Sequence, residues 1–153
     1  MLRYRIALAL LLCPLLARAD SSPDSAAKWL QKTIAPCFTR NDKVSLAARE
    51  KIERTAVAPA LKALLARDND EIARSHEVGR LDFDWIMNAQ DVTTDWEVGT
   101  PKAEGKNISV PVTTRWGDSN RTHFFLLQPS GDSWLIADVK YPNIKTTLLK
   151  ILQ

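Results

Sequence analysis

The stretch "LDFDWIMNAQD", residues 81–91, sets three carboxylates, an asparagine and a glutamine around Trp85, and it lies where the hydrophobic period of the chain changes. Leu81, Phe83 and Trp85 alternate with Asp82 and Asp84. In an extended chain the apolar side chains would turn inward and both carboxylates would share one face, about 7 Å apart. That separation is not diagnostic of a glycosidase, because two aspartates on an exposed face of a joint would show it too. A second account lets Asp84 cap a helical turn over residues 85–89, with Asn88, Gln90 and Asp91 closing the next loop through side-chain to backbone hydrogen bonds. The second account uses every polar residue, so the stretch reads as a structural joint.

On the N-terminal side of this joint the pattern is helical. After a polar lead-in over residues 20–25, Ala26, Ala27, Trp29, Leu30, Thr33, Ile34 and Cys37 recur at helical spacing, and the helix is expected to end near Pro36. Residues 45–54 form a second, less regular helical candidate, with a stripe of only Leu46, Ala47 and Ile52 and part of it expected as loop. The third helix has Pro59 in its first turn and Val57, Leu61, Leu64, Leu65 and Ile72 on one face, and should stop between His76 and Gly79. His76 reads as a solvated or capping residue at that end.

On the C-terminal side the period becomes two. Ile108, Val110, Val112, Thr114 and Trp116 form a dry face opposite a wetter one, "WGDSNR" makes a hairpin turn, and residues 122–128 are apolar on both faces, as in a central strand. Residues 134–141 give the third long strand, and a further one spans 94–101. The terminal "PNIKTTLLKIL" closes as a short helix with Asn143 as its N-cap. Pro111 inside a strand points to an edge or a bulge. Helices followed by a meander predict an α+β fold: N-terminal helices on a curved, mostly antiparallel four-stranded sheet, cone-like, with a short C-terminal helix and one domain over residues 20–153.

Residues 1–19 are expected to be a signal peptide. Arg3 and Arg5 precede an apolar run from Ile6 to Leu16, and Ala17-Arg18-Ala19 gives a small-x-small cleavage site after Ala19. The run is short of the ~20 residues needed to span a bilayer, so no stable membrane anchor is expected, and Leu12 before Cys13 argues against lipidation. Localisation is thus expected to be periplasmic or secreted. Three of the 21 basic residues lie in this leader, which leaves 18 against 18 acidic ones. The pI of about 9.0 is therefore a targeting artefact, and neither a nucleic-acid footprint nor a lipid-binding basic cluster remains. Cys37 is then the sole cysteine, so no intrachain disulfide is expected and it reads as a small core residue.

"LDFDWIMNAQD", "ISVPVTTRW" and "DSWLIADVKYPN" followed by "TTLLKIL" together resemble the small secreted bacterial proteins grouped as domain of unknown function 3828, over residues 24–152. Those proteins are similar to the cone-shaped superfamily named after nuclear transport factor two. The resemblance implies a bent sheet and helices enclosing a pocket. It implies no activity, because that superfamily holds isomerases, dehydratases and non-catalytic proteins alike.

If such a pocket exists, its candidate lining is Trp134, Ile136 and Asp138, which share parity, with His123 on the next strand and Trp116. A carboxylate among apolar side chains would be a base with a raised pKa, while Asp138 near the sheet's end would instead bond to backbone or to an arginine. No catalytic set emerges: there is no nucleophile elbow, the five glycines are scattered, and no cofactor is implied. His76 and His123 stand 47 positions apart without a cysteine pair, so no metal is expected. The expectation is an exported bacterial binding protein, non-catalytic, whose partner is a protein or small molecule. A narrower version is an immunity protein directed at a toxin. A homodimer through the sheet is one option. The alternative is a small cone-fold isomerase or dehydratase with Asp138 as its base.

Overall fold

In the computed structural model residues 22–153 are described, and the expected leader and its cleavage site lie outside them. Helix α1 (Pro23–Ile34) begins at a proline after Ser22, whose hydroxyl accepts from the Ser25 N–H, and runs into a 3₁₀ turn over Ala35–Cys37. Helix α2 covers Asp42–Thr55, with the Asn41 side chain accepting from the Val44 N–H. It is longer than its apolar stripe indicates, because part of its buried face is polar. Ser45 is buried and donates to the Cys37 carbonyl at 2.9 Å, and Arg49 bonds to the Ser45 hydroxyl at 3.2 Å. Helix α3 (Pro59–Ser75) starts at Pro59 and ends where His76 turns left-handed at φ 57°. His76 is exposed, as a capping residue should be.

The sheet holds β1 (Trp96–Val98), β2 (Lys102–Glu104), β3 (Asn107–Trp116), β4 (Ser119–Ser130), β5 (Ser133–Tyr141) and β6 (Thr146–Thr147), in the order β1-β3-β4-β5-β6 with β2 also on β3. All pairings are antiparallel. Six strands thus replace the expected four. The segment around residues 94–104 splits into β1 and β2, and two residues after Tyr141 add β6. The split falls opposite Pro111. The Gly99 N–H donates to the Pro111 carbonyl at 2.9 Å, and Pro111, with no N–H of its own, faces the gap between the two short strands.

One core joins the helices to the inner sheet face: Ala26, Leu30 and Ile34 of α1 and Leu61 and Leu65 of α3 meet Val110, Val112, Phe125, Leu127, Ile136 and Val139. Phe38, after the 3₁₀ turn, stacks on Trp96 at 4.4 Å between centroids and ties the helical half to the sheet edge. The segment between α2 and α3 adds a parallel bridge: the Ala58 N–H donates to Ile136 O and the Ile136 N–H to Ala56 O, both at 2.8 Å. The terminal helix α4 (Leu148–Leu152) is capped by Thr147, whose hydroxyl accepts from the Lys150 N–H, and not by Asn143, which lies in a separate 3₁₀ turn over Pro142–Ile144.

Strand β5 breaks its own alternation. Leu126 pairs with Asp138 but Leu127 with Ile136, so Ala137 is an extra residue opposite the Leu126–Leu127 step. Before this bulge Trp134 and Ile136 face the core; after it Val139 and Tyr141 do. A constant period of two would have put Tyr141 outside.

Candidate functional site

Residues 81–91 form a turn closed by an isolated bridge between Asp84 and Ala89. The Asp84 N–H donates to Ala89 O at 2.8 Å and the Asn88 N–H to Asp84 O at 2.7 Å, while Asn88 takes a left-handed φ of 57° that asparagine tolerates. The extended strand with two aspartates on one face is therefore not formed. Asp82 stays exposed, whereas Asp84 turns inward. Its Oδ1 accepts the Ile86 and Met87 N–H groups at 2.8 and 3.1 Å, and its Oδ2 lies 2.6 Å from Arg49 Nη2 in an ion pair rather than an aligned hydrogen bond.

The turn is inserted against the inner sheet face, where four consecutive carbonyls are taken up by four sheet side chains. Tyr141 Oη donates to Trp85 O at 2.8 Å, His123 Nε2 to Ile86 O at 2.8 Å, Thr114 Oγ1 to Met87 O at 3.2 Å and Arg121 Nη1 to Asn88 O at 2.9 Å. These donors come from β5, β4, β3 and β4, so the turn is fastened across three strands. On its helical flank the Trp85 indole N–H donates to Glu53 at 3.1 Å, and the Asn88 amide donates to Asn143 at 3.2 Å. Buried backbone carbonyls need such partners, and here side chains supply them.

Burial sets the electrostatics of these donors. A carbonyl only accepts, so His123 carries its proton on Nε2, and its Nδ1 is a buried acceptor without a partner. Burial pushes the imidazole down to about 4, partly opposed by the Ile86 hydrogen bond, so it is neutral at pH 7. Burial, then the carboxylates of Asp138 and Asp84, pushes the Tyr141 phenol up, so it remains a donor. Cys37, fully buried, is pushed up to about 12, first by burial and then by Asp84, with Arg49 opposing.

Of the expected pocket residues, Trp134 and Ile136 are core and His123 is spent on the turn. Asp138 is buried at 9% exposure, and its Oδ1 accepts the Val139 N–H at 2.8 Å and the Leu149 N–H at 2.9 Å. The carboxylate thereby braces the first turn of α4, the backbone-bonding role open to an aspartate near the sheet's end. Trp116 stands apart from these four. It lines a surface cleft of about 490 Å³ together with Asp82, Phe83, Gln90, Asp91 and Ile144, and the Arg121 guanidinium lies 5.8 Å from its ring centroid. A second cleft of about 340 Å³ shares Asp82, Phe83, Gln90 and Asp91 and continues past Val92 to Arg49.

Sequence reasoning does not find Thr114, Arg121 and Tyr141 at the joint. Their acceptors are backbone carbonyls, which carry no residue identity, and the bulge hides the inward turn of Tyr141. Among the described residues no group of three or more His, Cys, Asp or Glu side chains is arranged to hold a metal, and no helix is long and apolar enough to cross a membrane.

No protein-family model matches the chain, and no curated protein matches it. Among solved structures it is similar to a chain in the crystal structure of the type VI native effector–immunity complex Tae3–Tai3 from Ralstonia pickettii. The two are 20% identical with a TM-score of 0.56, over 78% of this chain and 94% of that one. At that identity the likeness shows the fold: helices, a mostly antiparallel open sheet and a short terminal helix.

Proposed function

We propose that the chain is an exported, non-catalytic interaction protein of the immunity type, whose partner is an effector protein that it holds inactive. The observation that carries this reading is the fold likeness to a chain of an effector–immunity complex. The inserted turn supports the non-catalytic half. The polar side chains of the inner sheet face that would serve chemistry, His123, Tyr141 and Thr114, are bonded to carbonyls of the turn, and Asp138 is bonded to backbone. Export rests on the leader and the cleavage site after Ala19. The resemblance to domain of unknown function 3828 belongs to the same proposal, as do the cone-like description of the sheet and a homodimer.

The test is co-expression. Proteins encoded beside the gene are directed to the periplasm of a bacterial host, with and without this chain. One of them should arrest growth alone, be neutralised when the chain is present, and co-purify with it. If no neighbour is toxic, or if a toxic one is neither bound nor neutralised, the immunity reading falls. Asp138→Asn retains a side-chain acceptor and should protect as well as wild type. Protection lost in a folded Asp138→Asn protein would favour the isomerase- or dehydratase-type alternative instead.

A further inference from the structure

We infer that the mouth of the 81–91 turn is the docking groove, and that it takes an extended partner segment bearing lysine or arginine beside apolar side chains. This names the partner chemistry for the immunity reading and rests on it. Asp82 and Asp91 each lie two residues outside the Asp84–Ala89 bridge, so closing the turn brings both to one mouth, and both line both clefts. Each is exposed, and neither has an ion pair among the described residues. Of the nearby cations, Arg49 is paired with Asp84, while Arg121 lines the first cleft, bonded to the neutral Asn88 carbonyl and set over the Trp116 ring. Two carboxylates therefore stand against one cation in the first cleft, and a further cation from outside offsets the remaining negative charge.

The surroundings fix the rest of the partner's character. Phe83 and Trp116 are half-buried in the groove, while Val92 and Ile144 stand 39% and 48% exposed at its two ends. Apolar residues flanking an unpaired acidic pair suit a segment that alternates basic and apolar side chains. The two clefts share four residues, so the groove continues along the outside of the turn rather than ending in a hole, which suits an extended segment.

The probe is a blocked hexapeptide, acetyl-Leu-Lys-Leu-Lys-Leu-Lys-amide, with its glutamate counterpart as control, titrated into isotopically labelled protein and followed by NMR. The expected result is saturable shifts at the amides of residues 82–91 and at the Trp116 indole, roughly tenfold weaker binding for Asp82→Asn/Asp91→Asn, weakening by salt, and no response to the glutamate peptide. Both sites are exposed, so thermal melting of the double variant should match wild type. Shifts elsewhere, no saturation, or unchanged binding by the folded double variant overturns the groove. In the co-expression assay, Asp82→Lys/Asp91→Lys that protects as well as wild type sinks the groove and leaves the immunity reading standing. A wild-type chain that fails to protect sinks the immunity reading, while the peptide titration still judges the groove.

Discussion

The two sides of the 81–91 turn carry similar residues and use them in opposite ways. On the inner side, Asp84 and the carbonyls of residues 85–88 are matched by Arg49, Tyr141, His123, Thr114 and Arg121, all within hydrogen-bonding or ion-pair distance. On the outer side, Asp82 and Asp91 have no ion pair among the described residues, and Gln90 reaches only the Asp82 carbonyl at 3.2 Å. The difference teaches that a cluster of polar residues in sequence separates in space into groups that hold the fold and groups left free to meet something else. Only the second kind can change without loss of structure.

The largest test of that contrast is Asp84→Ala, which strands a partly buried guanidinium and two N–H groups. A loss of about 3 kcal/mol is expected from the denaturation midpoint at unchanged slope, and a loss below about 1 kcal/mol would break the comparison. Acid should produce an effect of similar size through His123. Its folded value of about 4 lies below the 6.5 of the unfolded chain, so between these values the unfolded state binds the extra proton. The contribution is complete above about pH 6.5 and falls as pH is lowered, by roughly 3 kcal/mol at pH 4. In His123→Asn, which still offers an N–H donor to Ile86, this part of the pH dependence should vanish from the difference between the two stability profiles. Tyr141→Phe leaves the Trp85 carbonyl buried and unpaired and should cost about 1–3 kcal/mol by the same denaturation measurement. At the far end of the scale, Asp91→Asn should stay within about 0.5 kcal/mol of wild type. A destabilisation as large as that of Tyr141→Phe would mean that the outer side also holds the fold.

Much of this architecture is legible in the chain. The switch from helical to alternating spacing places α1, α3 and the long strands, Pro59 marks the start of α3, and Pro111 marks a broken edge. Residues 81–91 can be read as a joint because Asp84 caps the turn and Gln90 bonds back to the Asp82 carbonyl. Asp91, expected to close the loop, makes no such bond among the described residues, and Asn88 reaches the Asn143 side chain instead. The limits are physical as well. Helix α2 looks incomplete in sequence because Ser45 and Arg49, polar in composition, lie on or beside its buried face and bond there. Asn143 has the composition of a cap for the last helix, but it reaches Asn88 across the molecule and leaves capping to Thr147. A single extra residue at Ala137 moves Tyr141 to the core face, and no periodicity rule signals where a strand will bulge. Of the five expected pocket residues, Trp116 alone lines a cleft beside the turn, because the others are core or meet partners supplied by backbone, whose positions follow only from the completed fold.

One consequence of the buried Cys37 concerns how the molecule can be watched. Its sulfur has no solvent exposure, and a buried thiol pushed up to about 12 reacts only when the structure around it opens. Its rate of modification is therefore a natural stopwatch for the rarest openings of the helical half, obtained without a foreign label.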